Sequence, residues 1–289
     1  MKIKLISPGN YGHEESNGLY PCWDSEFIKW TDSETETTIW VDTPGGLDQF
    51  QNIKSQVLYS NSKYKIFVLM EPVSLCPKNY EWAHENSSMF DMIFSTYQSF
   101  GNSTKFKYYP GGCRSFIRPD ERMVYQKTKN ISSIVSPKKY LDGHKLRHKI
   151  KEYYNESDNT PIDYLNPPID RKVDGLSDYR FELVIENEDS PNFTEKLIDS
   201  MLCGCIPIYW SGNDINYLSM FDLNGIVVFS NFDELIEMIE SGMFCESYYE
   251  SRIESIKNNF EIAKKFVSFG DVLWNYGLKE FFENHENNL

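Results

Sequence analysis

With 289 residues, the chain has room for about two domains of ordinary size. It is 40% hydrophobic and 15% aromatic, enough to build a sizeable core. Its formal net charge of −14 and pI of about 4.9 give a surface that repels polynucleotides and anionic lipid, so neither is an expected partner.

In chain order, Met1-Lys2-Ile3-Lys4-Leu5-Ile6 alternates as a short strand and lacks the apolar centre of a signal peptide. No run reaches membrane-spanning length, so a cytoplasmic protein without stable membrane insertion is expected. Residues 9–36 are polar, bear aromatics and show little periodicity, which suits a long functional loop on an acceptor side. Further strands are expected at 37–41, 64–70, 89–95 and 105–109, with Pro110-Gly111-Gly112 closing the first sheet. The charge-rich stretch 118–129 reads as a linker or connecting helix.

The second half opens with a strand at 131–135 and a helix at 143–154, where Leu146, Ile150 and Tyr153 fall at helical spacing. A Pro-bearing loop is expected over 155–178. Residues 179–215 then read strand, loop, helix, turn, strand. A strand at 224–230 leads into Asn231-Phe232-Asp233-Glu234, a helix start. Helices from 246 and over 270–284 end the chain. Strands alternating with helices argue for parallel α/β sheets, divided into domains at 1–126 and 127–289. Of six cysteines only Cys203 and Cys205 are close, and no second pair completes a zinc site, so all six read as reduced thiols.

The richest chemistry lies in 179–215. A loop and helix N-terminus at the carboxyl end of a parallel strand is where α/β sheets bind phosphate-bearing ligands. Glu195 beside Lys196 suits sugar hydroxyls next to phosphates, the pattern of a nucleotide-sugar. Asn192 to Glu195 also fits a capping box, with Asn192 as N-cap and Glu195 at its third helical position. Arg147 belongs either to a solvated basic helix face or to a phosphate clamp, since a guanidinium bridges two phosphate oxygens as Lys cannot. Glu186 and Asn187 end a strand, as turn residues or donor contacts. Glu71 ends the strand 64–70, as an exposed carboxylate or a general base.

Tyr179-Arg180-Phe181, Ile185-Glu186-Asn187, Thr194-Glu195-Lys196-Leu197 and Ile206-Pro207-Ile208-Tyr209-Trp210 together resemble the signature of the α1,3/4-fucosyltransferases. The likeness is best over 179–215 and weaker from Phe67 to the end. It implies a GT-B-like α/β fold with two Rossmann-like domains facing a cleft. It also implies inverting transfer of fucose from GDP-fucose to a glycan hydroxyl, α1,3 to GlcNAc or glucose. Residues 127–289 would hold the donor through Arg147, Glu186, Asn187, Asn192, Thr194, Glu195 and Lys196, without cofactor or metal. Glu195 would meet the ribose hydroxyls, Lys196 the diphosphate, and Arg147 the phosphates from the element that follows Val135-Ser136-Pro137. Residues 1–126 would carry the acceptor, with Glu71 as base and Glu81 and Glu85 as alternatives.

The chain departs from the family at Asn192, where members often carry an aromatic, and at Trp210-Ser211-Gly212. The rival readings are a GT-B enzyme for another nucleotide-sugar, an inactive glycan- or nucleotide-binding module, and a scaffold using the acidic surface. A lectin-like module would not need Arg147, Glu195 and Lys196 together.

Overall fold

The computed structural model describes residues 1–6, 25–42, 47–97, 100, 105–111, 115–155, 160–166 and 171–286. Most of the expected 9–36 loop therefore lies outside the described residues, as do Cys22, Gly112 and Cys113. The chain forms two compact units, Met1–Arg114 with Ser268–Leu289, and Ser115–Val267.

The first unit carries strands β1 (Lys2–Ile6), β2 (Lys29–Thr31), β3 (Thr37–Val41), β4 (Tyr64–Leu69), β5 (Met92–Ser95) and β6 (Phe106–Tyr108). They pair in parallel in the order β2-β1-β3-β4-β5-β6. Ile66, Phe67, Val68 and Leu69 are all fully buried, as a strand covered on both faces requires. Helices α1 (Leu47–Tyr59) and α2 (Pro77–Glu85) pack Phe50, Val57, Tyr80 and Ala83 onto Trp40, Phe67 and Phe90.

The second unit carries β7 (Lys129–Ile134), β8 (Ile162–Leu165), β9 (Tyr179–Ile185), β10 (Ile206–Trp210) and β11 (Val227–Val228), parallel in the order β11-β10-β9-β7-β8. Its helices are α3 (Asp142–Asn155), α4 (Glu195–Leu202), α5 (Phe232–Glu240), α6 (Glu246–Glu250) and α7 (Ile253–Ala263). Inside α4, Asp199 is fully buried and accepts hydrogen bonds from Ser115 Oγ at 2.6 Å, Phe116 N at 3.1 Å and Lys172 Nζ at 2.7 Å. Lys127 Nζ donates to Leu176 O at 3.0 Å, Ser177 O at 3.1 Å and Cys203 O at 2.6 Å. A buried charge that keeps its partners is tolerated, and these two tie the entry of the unit to α4 and β9.

Both sheets share one wiring. The second strand goes to an edge, and the third returns to the far side of the first. The direction of winding thus switches between β1 and β3, and again between β7 and β9. In open α/β sheets the crevice at the carboxyl ends beside such a switch is where ligands bind.

The structure differs from the sequence expectation in several places. β2 falls within the stretch read as a loop, and β8 within 155–178; both are short strands at a sheet edge. Residues 118–129 hold a 3-10 turn at Pro119–Glu121 and the first residue of β7, and belong to the second unit. The expected strand 224–230 shrinks to Val227–Val228 after a turn at Leu223–Gly225.

The tail from Ser268 packs with the first unit, not with the second as the 127–289 boundary had it. Helix α8 (Phe269–Leu273) stacks Phe269 on Trp30 at 5.8 Å, and Asp271 bonds Ser25. Helix α9 (Lys279–Glu286) sets Phe281 against Tyr64 at 5.2 Å. The single helix expected at 270–284 breaks at Gly277, where a Cβ would lie 2.9 Å from the Phe94 ring.

Asn231 begins α5 as expected, its side-chain oxygen accepting from Glu234 N at 3.1 Å. Asn231→Ala is expected to lower stability by about 1 kcal/mol, and Asn231→Gly by only a few tenths. Chemical denaturation checks both values, and equal losses would show that the cap bond is not what matters.

Candidate active site

At the β7/β9 switch point two helices begin side by side. Helix α3 follows β7, and α4 follows β9. The start of α3 lies against the backbone just after β9 closely enough to demand Gly143, because a Cβ there would sit 1.7 Å from the Glu186 carbonyl oxygen. Gly143 N donates instead to Asn187 O at 3.0 Å. Both helices start at the carboxyl edge of the sheet, after the neighbouring strands β7 and β9, and their positive dipole ends favour an anion there.

Helix α4 starts two residues later than the sequence suggested. Thr194, not Asn192, is its N-cap, with Oγ1 accepting weakly from Lys196 N at 3.4 Å. The cause is tertiary. Glu186, 3% exposed at the end of β9, accepts from Thr194 N at 2.8 Å and Thr194 Oγ1 at 2.7 Å. Phe193 beside it is fully buried against Tyr217, Phe221 and Phe266. Asn192 stays outside the helix, its N–H on Ser190 O at 2.7 Å and its carbonyl at the far end of the Tyr209 hydroxyl's reach. Glu195 and Lys196 thereby become the first two helical residues.

Glu186 faces inward. Besides Thr194 it accepts from Lys196 Nζ at 3.3 Å and Tyr209 OH at 3.3 Å, so it positions the α4 start. Lys196 Nζ also reaches Thr194 Oγ1 at 2.9 Å and Glu195 Oε1 at 3.4 Å, with 24% of its side chain exposed. Burial opposes its charge, but Glu195 and Glu186 together hold the ammonium above its ordinary pKa. It is a cation held loosely by carboxylates and reachable from solvent.

Arg147 in α3 is only 6% exposed, more buried than a residue of an open site would be. Its Nη2 donates to Ile185 O at 2.8 Å and Asn187 Oδ1 at 2.8 Å, which locks α3 to the end of β9. Its Nε–H is buried and has no partner among the described residues. Burial lowers its pKa, while Glu186 and Glu195 work the other way.

His144, one turn earlier and 2% exposed, accepts the Leu141 N–H on Nδ1 at 3.2 Å, which makes it the Nε2–H tautomer. Burial, then Arg147 and Lys138, push its pKa down to about 4 although Asn187 bonds its side chain. It stays neutral beside the guanidinium.

Sequence reasoning did not single out Glu188. Glu188 lies in the loop after β9, and burial, with Asp189 beside it, raises its pKa to about 7. Burial is the first cause of that rise, and no local sequence pattern announces it. Among the described residues no three His, Cys, Asp or Glu side chains gather in a metal-holding group. No helix among them is long and apolar enough to cross a membrane.

In the first unit Glu71 follows β4, half-buried. Asp42, 2% exposed at the end of β3, accepts from Met70 N at 2.6 Å and Asn79 Nδ2 at 2.8 Å. Tyr80 OH donates to Glu71 O at 2.8 Å. Burial, less its hydrogen bonds and with the Glu71 charge adding, lifts Asp42 to a pKa of about 7. Glu81 and Glu85 sit apart from this cluster, exposed on α2, where they line an open groove of about 540 Å³ with Tyr80, His84, Tyr97 and Phe100.

No protein-family profile matches the chain. A 123-residue stretch is 31% identical to the α-(1,3)-fucosyltransferase FucT of Helicobacter pylori, covering 37% of this chain and 25% of that protein. Among solved structures, an α-glucosyltransferase in complex with UDP and a mismatched 13-mer DNA superposes with a TM-score of 0.57 at 12% identity, over 98% of both chains. Anabaena Alr3699/HepE in complex with UDP-glucose gives 0.54 at 10% identity, over 98% of this chain and 99% of that one. At such identities the likeness speaks for architecture alone: the two parallel α/β units of this chain make a GT-B fold.

Proposed function

We propose that the protein is a glycosyltransferase that moves fucose from GDP-fucose to a glycan hydroxyl with inversion, α1,3 to GlcNAc or glucose. One observation carries the nucleotide-sugar part. Two cations, Lys196 in the first turn of α4 and Arg147 in the second turn of α3, lie at the switch point, each tempered by Glu186 and Glu195. The matched stretch of the H. pylori enzyme and the signature over 179–215 support fucose and GDP. The net charge of −14 argues against a nucleic-acid acceptor.

In this reading the acceptor oxygen attacks C1 of fucose as Glu71 takes its proton, and GDP departs with the bonding pair. The growing diphosphate charge is met by Lys196, Arg147 and the amides that open α4. Glu195 turns from Lys196 to the ribose hydroxyls, while Glu186, Asn187 and Thr194 hold these groups in place. Asn192 lines the entrance to α4. These cations supply the charge a metal would bring, so turnover should persist in a chelator, and manganese-dependent rescue would count against the assignment.

A second reading, a UDP-sugar donor, draws on the two solved structures above, which contain UDP or UDP-glucose. Thermal shift separates the two. GDP and GDP-fucose are expected to stabilise the fold and UDP-sugars not to. A ligand at ~100 times its dissociation constant adds about 2.7 kcal/mol. Equal shifts from GDP and UDP would remove the guanine preference, and no shift from either would remove the donor site.

A further inference from the structure

One aromatic at this switch point has no part in the scheme above. Tyr140 lies in the loop that joins β7 to α3 and is 57% exposed, in a region where Gly143, His144 and Arg147 are buried. Its ring meets the His144 ring edge-on, with centroids 4.8 Å apart and planes at 73°. His144 thus backs Tyr140, while more than half of its surface stays open to solvent.

The loop is pinned at both ends. Leu141 N donates to His144 Nδ1 at 3.2 Å, and His148 Nε2 lies 3.1 Å from both Ser136 O and Lys138 O. Two histidines one turn apart on α3 therefore fix a seven-residue connection that carries an exposed tyrosine against His144, which itself feels the charges of Arg147 and Lys196. An exposed aromatic costs solvation unless something covers it, and rigid backing removes the ordering penalty of doing so. Lys138, Lys139 and Lys145 are exposed about the same loop, Lys139 paired with Glu152 at 3.7 Å and Lys145 with Asp142 at 2.9 Å.

We propose that Tyr140 is the stacking platform for the base of the nucleoside diphosphate whose phosphates meet Lys196 and Arg147. This rests on the nucleotide-sugar reading and adds to it the means by which the base is held. A flat ring offers every base a π-face, so the platform gives affinity and not a choice between guanine and uracil.

The test is titration calorimetry of wild type, Tyr140→Ala and Tyr140→Phe with GDP, UDP and inorganic pyrophosphate. Tyr140→Ala is expected to weaken whichever nucleotide binds the wild type by about tenfold, within the range for stacking one base on an aromatic side chain. Tyr140→Phe keeps the ring and should bind as wild type does. Pyrophosphate has no base, so its affinity should be the same in all three proteins, and the exposed position leaves the unliganded melting midpoint unchanged. Tyr140→Ala binding the nucleotide as tightly as wild type overturns the inference while leaving the donor site standing. An equal loss for pyrophosphate also overturns it, because the residue would then act through the loop. Failure of the wild type to bind either nucleotide removes the nucleotide-sugar reading itself and the platform with it.

Discussion

Lys196→Ala is expected to weaken GDP binding by roughly 10- to 150-fold, the 1.5–3 kcal/mol of a lost charge-assisted contact, and to lower turnover at least as much. The fold should hardly notice. Lys196 is partly exposed, and Glu186 keeps Thr194 N, Thr194 Oγ1 and Tyr209 OH as donors when the ammonium is gone. Arg147 calls for a different substitution. Its buried Nη2 bridges Ile185 O and Asn187, so Arg147→Ala removes a structural tie along with the proposed phosphate contact. Arg147→Lys keeps the charge and loses the planar fork, and should reduce GDP affinity with a smaller cost to the fold. Calorimetry with GDP, beside denaturation of the free proteins, checks both. Unchanged GDP affinity in Lys196→Ala would take the diphosphate away from α4.

The contrast between these two cations shows what was legible in the chain. Lys196 could be placed from sequence because its environment is local: a strand, a short loop and a helix start within 179–215. The burial of Arg147 could not, since it follows from the parallel pairing of β7 with β9, which lays α3 across the end of β9. The same distinction explains the misplaced cap. Asn192 has the local pattern of an N-cap, but Glu186 takes Thr194 N from across the loop and moves the helix start to Glu195.

Among the strands, β3, β4, β9 and β10 were visible as apolar runs because they are buried on both faces. β2 and β8 were not, because a three- or four-residue edge strand with one wet side carries too little pattern. The tail after Ser268 displays an apolar face through Phe269, Leu273, Phe281 and Phe282, yet periodicity does not say which sheet that face covers.

Glu71→Gln is expected to lower kcat by about 10²-fold or more while leaving GDP-fucose affinity unchanged. The substitution keeps size and loses basicity, so a purely structural role for Glu71 would leave kcat close to normal. The setting of Glu71 suits a base. It lies two residues beyond the buried strand β4, at the carboxyl edge of the sheet, where α/β folds place their chemistry. Pro72 stiffens the turn after it, and Tyr80 OH holds its carbonyl.

Asp42 fixes the preceding residue by accepting Met70 N, and is itself braced by Asn79. The negative charges of this corner are felt by their neighbours. Burial first, then Asp42 and Glu71, push the Cys76 thiol up to about 11. Donor affinity measured on the same variant separates the two ways of being wrong. Loss of GDP-fucose binding would make Glu71 part of the donor site, whereas near-normal kcat would pass the role of base to Glu81 or Glu85, whose exposed carboxylates line the aromatic groove of α2.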